Sequence, residues 1–147
     1  MGFLGKFLKN TAIKQVTKKH FNRLINLIET DQYEFYRKQP EELDETKARD
    51  LAMKTIRNYY KDIGLEEQEV TDSYDFPREP GHQKSWEELL SHLVCVLVFT
   101  ELSYDPLIGS WEDTNLVKKT FNKQLGKWSY ESVLKKFIKA EAYREKK

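Results

Sequence analysis

The sequence predicts an all-α fold, a single-domain bundle of about five helices, and three observations support this prediction. Apolar residues recur at spacings of three and four along nearly the whole chain, which is the period of a helix with one buried face. Ser or Asp precedes several of these segments and Gly follows several of them, as at helix ends. A chain of 147 residues with 39% apolar residues is also long enough to bury one core. We therefore treat residues 1–147 as one helical domain, whose basic start (1–10) and charged tail (141–147) are the segments most able to move.

The first two helices are predicted from their apolar faces and their ends. Residues 11–38 carry one apolar face and are predicted to form the first helix, which ends before Pro40. The pattern also allows a break in this helix near Thr30. The second helix begins after Asp44, a favourable N-cap, and stops before Gly64, which suits the left-handed position after a helix.

A long acidic loop is predicted between the second and third helices. Residues 64–84 have no sustained period, they contain Pro77, Pro80 and Gly81, and acids greatly outnumber bases within them. A connection of this length in a compact domain is usually functional or mobile.

The third helix is predicted over residues 85–103, although the stretch "LVCVLVF" (93–99) alone also fits a buried strand. Ser85 followed by Glu88 is a capping box, and no other β-rich run exists to pair with such a strand. The helix is apolar all round in its second half, so we place it at the centre of the bundle. Its apolar length falls short of the roughly 20 residues of a membrane span, and we predict no integral membrane segment.

Two further helices complete the prediction. Pro106 and Gly109 form a turn, after which Ser110 caps a helix that runs to about residue 125 and stops at Gly126. Ser129 then caps the last helix.

The composition narrows the classes of function. The net charge is +1, and the single cysteine excludes an internal disulfide framework, so we expect a cytoplasmic protein. The chain contains no phosphate-binding glycine loop and no nucleophile elbow. The absence of these motifs favours binding over catalysis.

One trio in the third helix has the chemistry of a metal site. Glu88, His92 and Cys95 follow one another at spacings of four and three, which brings their side chains to one side of a helix. They are permissible zinc or iron ligands, but they match no established spacing and Cys95 stands in an apolar run. We expect them to be structural and expect no cofactor; a metal-dependent enzyme built on them is the third hypothesis.

The basic C-terminal segments suggest a second hypothesis, a nucleic-acid-binding accessory protein. Lysines there would contact phosphates, with Trp128 or Tyr130 stacking on bases. The chain lacks the strongly basic character of a dedicated binder. The lysines concerned are Lys118, Lys119, Lys123, Lys127, Lys135 and Lys136.

The first hypothesis is a non-enzymatic protein-binding module: an adaptor, an inhibitor or an immunity-type protein. Its acidic, aromatic middle would dock on the basic surface of another protein, because aromatic side chains are the usual anchors of interfaces and opposite charges favour encounter. Tyrosines of the second helix adjoin the acidic loop. The candidate contact residues are Tyr59, Tyr60, Glu69, Asp72, Tyr74, Asp75 and Phe76.

Overall fold

The computed structural model describes residues 3–65, 85–102 and 111–145. It contains five α-helices and a short 3₁₀ turn, with no strand in those ranges, which confirms the predicted all-α bundle. The predicted turn at Pro106 and Gly109 and the predicted cap at Ser110 lie outside the described residues, as does nearly all of the acidic loop. The elements are α1 Phe3–Lys38, the 3₁₀ turn Pro40–Glu42, α2 Glu45–Asp62, α3 Trp86–Glu101, α4 Trp111–Leu125 and α5 Tyr130–Glu145.

The predicted N-caps are confirmed at three helices. The Asp44 carboxylate accepts a hydrogen bond from the backbone N–H of Lys47 at 2.8 Å. The Ser85 hydroxyl accepts from the N–H of Glu88 at 3.3 Å, and that of Ser129 accepts from the N–H of Ser132 at 3.2 Å. Each bond satisfies a donor that the first turn of a helix leaves without an intrahelical partner.

Helix α1 is longer than its apolar pattern predicts. It starts at Phe3 instead of residue 11 and passes Thr30 without a break, so its 36 residues span about 54 Å. Tertiary contacts explain both differences. Lys9 pairs with buried Asp113 at 3.1 Å, and Gln32, itself buried, donates to the Ala48 carbonyl at 2.9 Å.

The other helices pack along α1, as contacts at successive levels show. Lys9 and Phe21 of α1 contact Asp113 and Phe121 of α4 in the same order, so α4 follows the direction of α1. Further along α1, Tyr33 and Arg37 contact Phe137 and Glu141, so α5 follows the same direction. Helix α3 runs the opposite way: its last residue, Glu101, pairs with Lys19, whereas its first residue, Trp86, packs on Trp128, which bonds to Glu29 further along α1.

Helix α3 forms the centre of the core, as predicted. Its side chains with no exposed surface lie on more than one face, as expected of a helix surrounded by others. These residues are Leu89, Leu90, Leu93, Val94 and Val98. The helix ends at Glu101 with Leu102 as its C-cap, close to the predicted end. Among the described residues, no helix is both long enough and apolar enough to cross a membrane.

Candidate functional site

The predicted metal trio does not converge into a metal site. Glu88 is exposed, whereas His92 and Cys95 are buried in the α3 core. Burial raises the pKa of the Cys95 thiol from 9.0 to about 12, and the Lys118 charge offsets only part of this rise. Across the described ranges, no group of three His, Cys, Asp or Glu side chains is placed to hold a metal ion.

The two tyrosines at the end of α2 have different environments. Tyr60 is 2% exposed, and its hydroxyl donates to the Leu89 carbonyl at 3.0 Å, which ties α2 to α3. A side chain held in this way packs the core and presents no surface to a partner. Tyr59 is half-buried against the same core. The other predicted contact residues, Glu69, Asp72, Tyr74, Asp75 and Phe76, lie outside the described residues.

The six lysines of the nucleic-acid hypothesis lie on α4, α5 and the turn between them. Lys118 is half-buried, with its Nζ 5.7 Å from the centre of the Trp111 ring. The other five are exposed: Lys119, Lys123, Lys127, Lys135 and Lys136. Lys135 is paired with Glu131 one turn earlier at 3.4 Å.

A cleft of about 370 Å³ opens where three helices begin and α4 ends, and we refer to it as the aromatic cleft. Its volume is within the range of about 300–1,000 Å³ that is typical of ligand sites. Residues from the first turns of α2, α3 and α5 line it, together with the α4–α5 turn. The lining residues are Glu45, Arg49, Trp86, Glu87, Leu125, Trp128, Ser129, Tyr130 and Glu131.

Three aromatic rings form one wall of the cleft and contact one another edge to face. The ring centres of Trp128 and Tyr130 are 4.6 Å apart, those of Trp86 and Trp128 are 5.4 Å apart, and those of Trp86 and Tyr130 are 6.2 Å apart. The Trp128 indole N–H donates to a Glu29 carboxylate oxygen of α1 at 2.8 Å, which fixes this ring. Edge-to-face packing of this kind produces a rigid aromatic surface.

A guanidinium group lies on this aromatic surface. The Arg49 Cζ lies 5.6 Å from the centre of the Tyr130 ring, within the range of a cation–π contact. The guanidinium donates to Glu87 Oε1 at 2.8 Å and to Glu45 Oε1 at 3.0 Å. The cleft thus holds a cation between a ring and two carboxylates.

The three carboxylates of the cleft are placed there by the helix starts. Glu45, Glu87 and Glu131 each lie in the first turn of a helix, where an acid offsets the partial positive charge of the N-terminus. This is an ordinary local preference in each helix. Because three such starts meet, their carboxylates collect around one opening.

Two polar atoms at the aromatic wall have unused hydrogen-bonding capacity. The Trp86 Nε1 and the Tyr130 hydroxyl are buried and have no hydrogen-bond partner among the described residues. Trp86 as a whole is only 3% exposed. Burial raises the pKa of Tyr130 well above its usual value, more than the Arg49 charge and the neighbouring Trp86 N–H lower it, so the phenol stays protonated and can donate.

A second cleft of about 310 Å³ lies between the starts of α1 and α4. Lys6, Lys9 and Lys119 line it together with Glu112 and Asp113, so its charge is mixed. The buried pair of Lys9 and Asp113 uses part of that charge to hold the two helices together.

Sequence reasoning identified Trp128 and Tyr130 only as base-stacking candidates, and it missed the role of Arg49. The signal was present in part, because Asp44, Ser85 and Ser129 are each followed within two residues by an acid. What the sequence could not reveal is that these three helix starts, from distant parts of the chain, meet at one place.

No protein-family model, curated protein or solved structure matches this chain.

Proposed function

We propose that this protein is a non-enzymatic binding module, of the adaptor, inhibitor or immunity type, that docks on a basic surface of another protein. The aromatic cleft is the observation that supports this proposal. Its lining combines three carboxylates with one guanidinium, and it presents Trp and Tyr rings, which are enriched at the energetic centres of interfaces.

The acidic loop and the aromatic cleft are neighbours in the sequence. Trp86, the first residue of α3, comes ten residues after Phe76 and twelve after Tyr74. We propose that both segments contact the same partner, with the acids attracting a basic surface and the rings anchoring it. Tyr60 is left out of this surface because it is buried.

The test is capture of the partner from the host by variants of the full chain, followed by native mass spectrometry of the complex. Replacing Glu87 and Glu131 together by Gln removes charge from the cleft with little change in size. Trp128→Ala removes the central ring. We expect both changes, and the loop change of Tyr74 and Phe76 to Ala, to reduce the partner recovered at least ten-fold, the effect of losing one interface hot spot.

Trp111→Ala is the matched control. Trp111 is 72% exposed and lies at the opposite end of α4 from Leu125, about 21 Å away along the helix. Its replacement removes an exposed indole but leaves the cleft intact, so capture should persist. Equal capture by wild type and both cleft variants, with circular dichroism showing them folded, would contradict the proposal.

Nucleic-acid binding is the alternative, and the five exposed lysines of α4, α5 and their turn favour it. If the captured species is nucleic acid, its affinity will fall steeply with salt, and reversing Lys135 and Lys136 to Glu will abolish capture. That result would replace the protein-binding proposal.

A further inference from the structure

We infer that the aromatic cleft receives an arginine side chain of the partner protein, and that Arg49 occupies this position when the partner is absent. The inference rests on the proposed function only for the source of the arginine. The chemistry of the cleft supports the rest.

The contacts of Arg49 define what the cleft accepts. Its guanidinium lies over the Tyr130 ring and donates to Glu45 and Glu87 on two different helices. A planar cation with several donors in fixed directions matches this arrangement of one ring and two carboxylates. A lysine ammonium would meet the charge, but it can neither stack on the ring nor span both carboxylates in one plane.

The ion pairs of Arg49 are weak enough for a partner arginine to replace it. The Arg49 side chain is 48% exposed, and its partners Glu45 and Glu87 are 65% and 25% exposed. Ion pairs with this degree of exposure contribute little to stability, because water and salt compete for the charges. A partner arginine that brings additional contacts can therefore displace Arg49.

The cleft also has room and an unused donor for an incoming chain. Its 370 Å³ are present with the Arg49 side chain in place, and Glu131 adds a third carboxylate. The Trp86 N–H and the Tyr130 hydroxyl have no partner among the described residues. The Trp86 N–H can donate to the neighbouring Tyr130 oxygen, which leaves the Tyr130 O–H as the donor for a backbone carbonyl next to the bound arginine.

If Arg49 competes with the incoming arginine, removing Arg49 should strengthen the binding of a guanidinium compound to the cleft. In Arg49→Ala the position is empty, and a small guanidinium compound should bind more tightly than to the parent chain. The probe is methylguanidinium chloride, compared with methylammonium chloride at equal ionic strength. The readout is the fluorescence of Trp86 and Trp128 in a Trp111→Phe background, which removes the third indole.

We expect methylguanidinium to bind Arg49→Ala in preference to methylammonium. Adding Glu87→Gln should weaken that binding roughly ten-fold, the effect of losing one charge-assisted hydrogen bond. A second variant without the guanidinium, Arg49→Gln, keeps two of the three methylene groups of the side chain and is used if the alanine variant is poorly folded.

Three outcomes would overturn the inference: no fluorescence change in either folded vacated variant, an equal response to methylammonium, or equal affinity of the parent and vacated chains. Failure of the proposed function gives a different pattern. In that case methylguanidinium binds as expected, but Glu87 and Glu131 replacements leave capture unchanged.

Discussion

The ion pair between Lys9 and Asp113 leads to a quantitative prediction about how α1 is docked. Lys9 Nζ lies 3.1 Å from Asp113 Oδ1, and the two side chains are 14% and 2% exposed. At an effective dielectric constant of about 20, two unit charges at 3.1 Å attract each other by about 5 kcal/mol. Breaking a buried pair by removing one partner costs about 3–5 kcal/mol. We expect Lys9→Met to lower the free energy of unfolding by about 3 kcal/mol, because Lys9 keeps some contact with water.

The assay is urea unfolding of the full chain, monitored by circular dichroism. Lys and Met have similar helix propensities, so a large loss cannot come from the helix itself. Lys135→Met is the matched control, since the Glu131–Lys135 pair is 3.4 Å apart but 81% and 73% exposed. We expect the control to cost less than about 1 kcal/mol. High salt should remove the cost of the control but not that of Lys9→Met, because buried charges are poorly screened.

A loss for Lys9→Met no larger than that for Lys135→Met would refute this reasoning. It would mean that the Lys9 charge is solvated and that the first turns of α1 are not docked on α4. The helix would then start, in effect, near residue 11, as its apolar pattern alone predicts.

Three further predictions concern the core. Burial lowers the pKa of His20 below 6.5 despite the Glu101 carboxylate 3.5 Å away, so as the pH falls the unfolded chain binds a proton before the native chain does. The free energy of unfolding should therefore decrease from pH 6.5 down to the native-state pKa. His20→Leu should remove that decrease when urea unfolding is measured across this pH range. Leu93→Ala, at a site with no exposed surface, should cost about 2–5 kcal/mol in the same assay, and a cost below 1 kcal/mol would show that α3 is not central. The rise in the pKa of Cys95 from 9.0 to about 12 lowers its thiolate fraction about a thousand-fold. Iodoacetamide should therefore label Cys95 in urea but scarcely in the native chain. Fast labelling of the native chain would place the thiol at the surface.

The local signals in the sequence were sufficient for the starts of α2, α3 and α5. The caps at Asp44, Ser85 and Ser129 satisfy backbone donors within the same turn, so they can be recognised without knowing the rest of the fold. The central position of α3 also followed from its sequence, because its second half is apolar all round and such a segment is expected in the interior of a bundle.

The features that the sequence could not predict depend on contacts between distant segments. The start of α1 before residue 11 depends on the pairing of Lys9 with Asp113, which belongs to another helix. Tyr60 carries a polar hydroxyl and was predicted to lie at the surface. It is a core residue because its hydroxyl donates a hydrogen bond to a backbone carbonyl of α3. The aromatic cleft could not be predicted either. Each of its acids is explained by its place in the first turn of its own helix, so nothing in the sequence indicates that the three acids meet.

The walls of the aromatic cleft are also far apart along the chain, and this has a consequence for folding. Arg49 and Glu87 are separated by 38 positions, and Glu29 and Trp128 by 99. Helices form from local contacts, whereas contacts of such separation require closure of long loops and come later. Ellipticity should therefore report the helices, and the emission of Trp86 and Trp128 should report the completed bundle. A partner that recognises only the assembled cleft will raise the stability of the whole domain by mass action, so that recognition and folding become a single linked equilibrium.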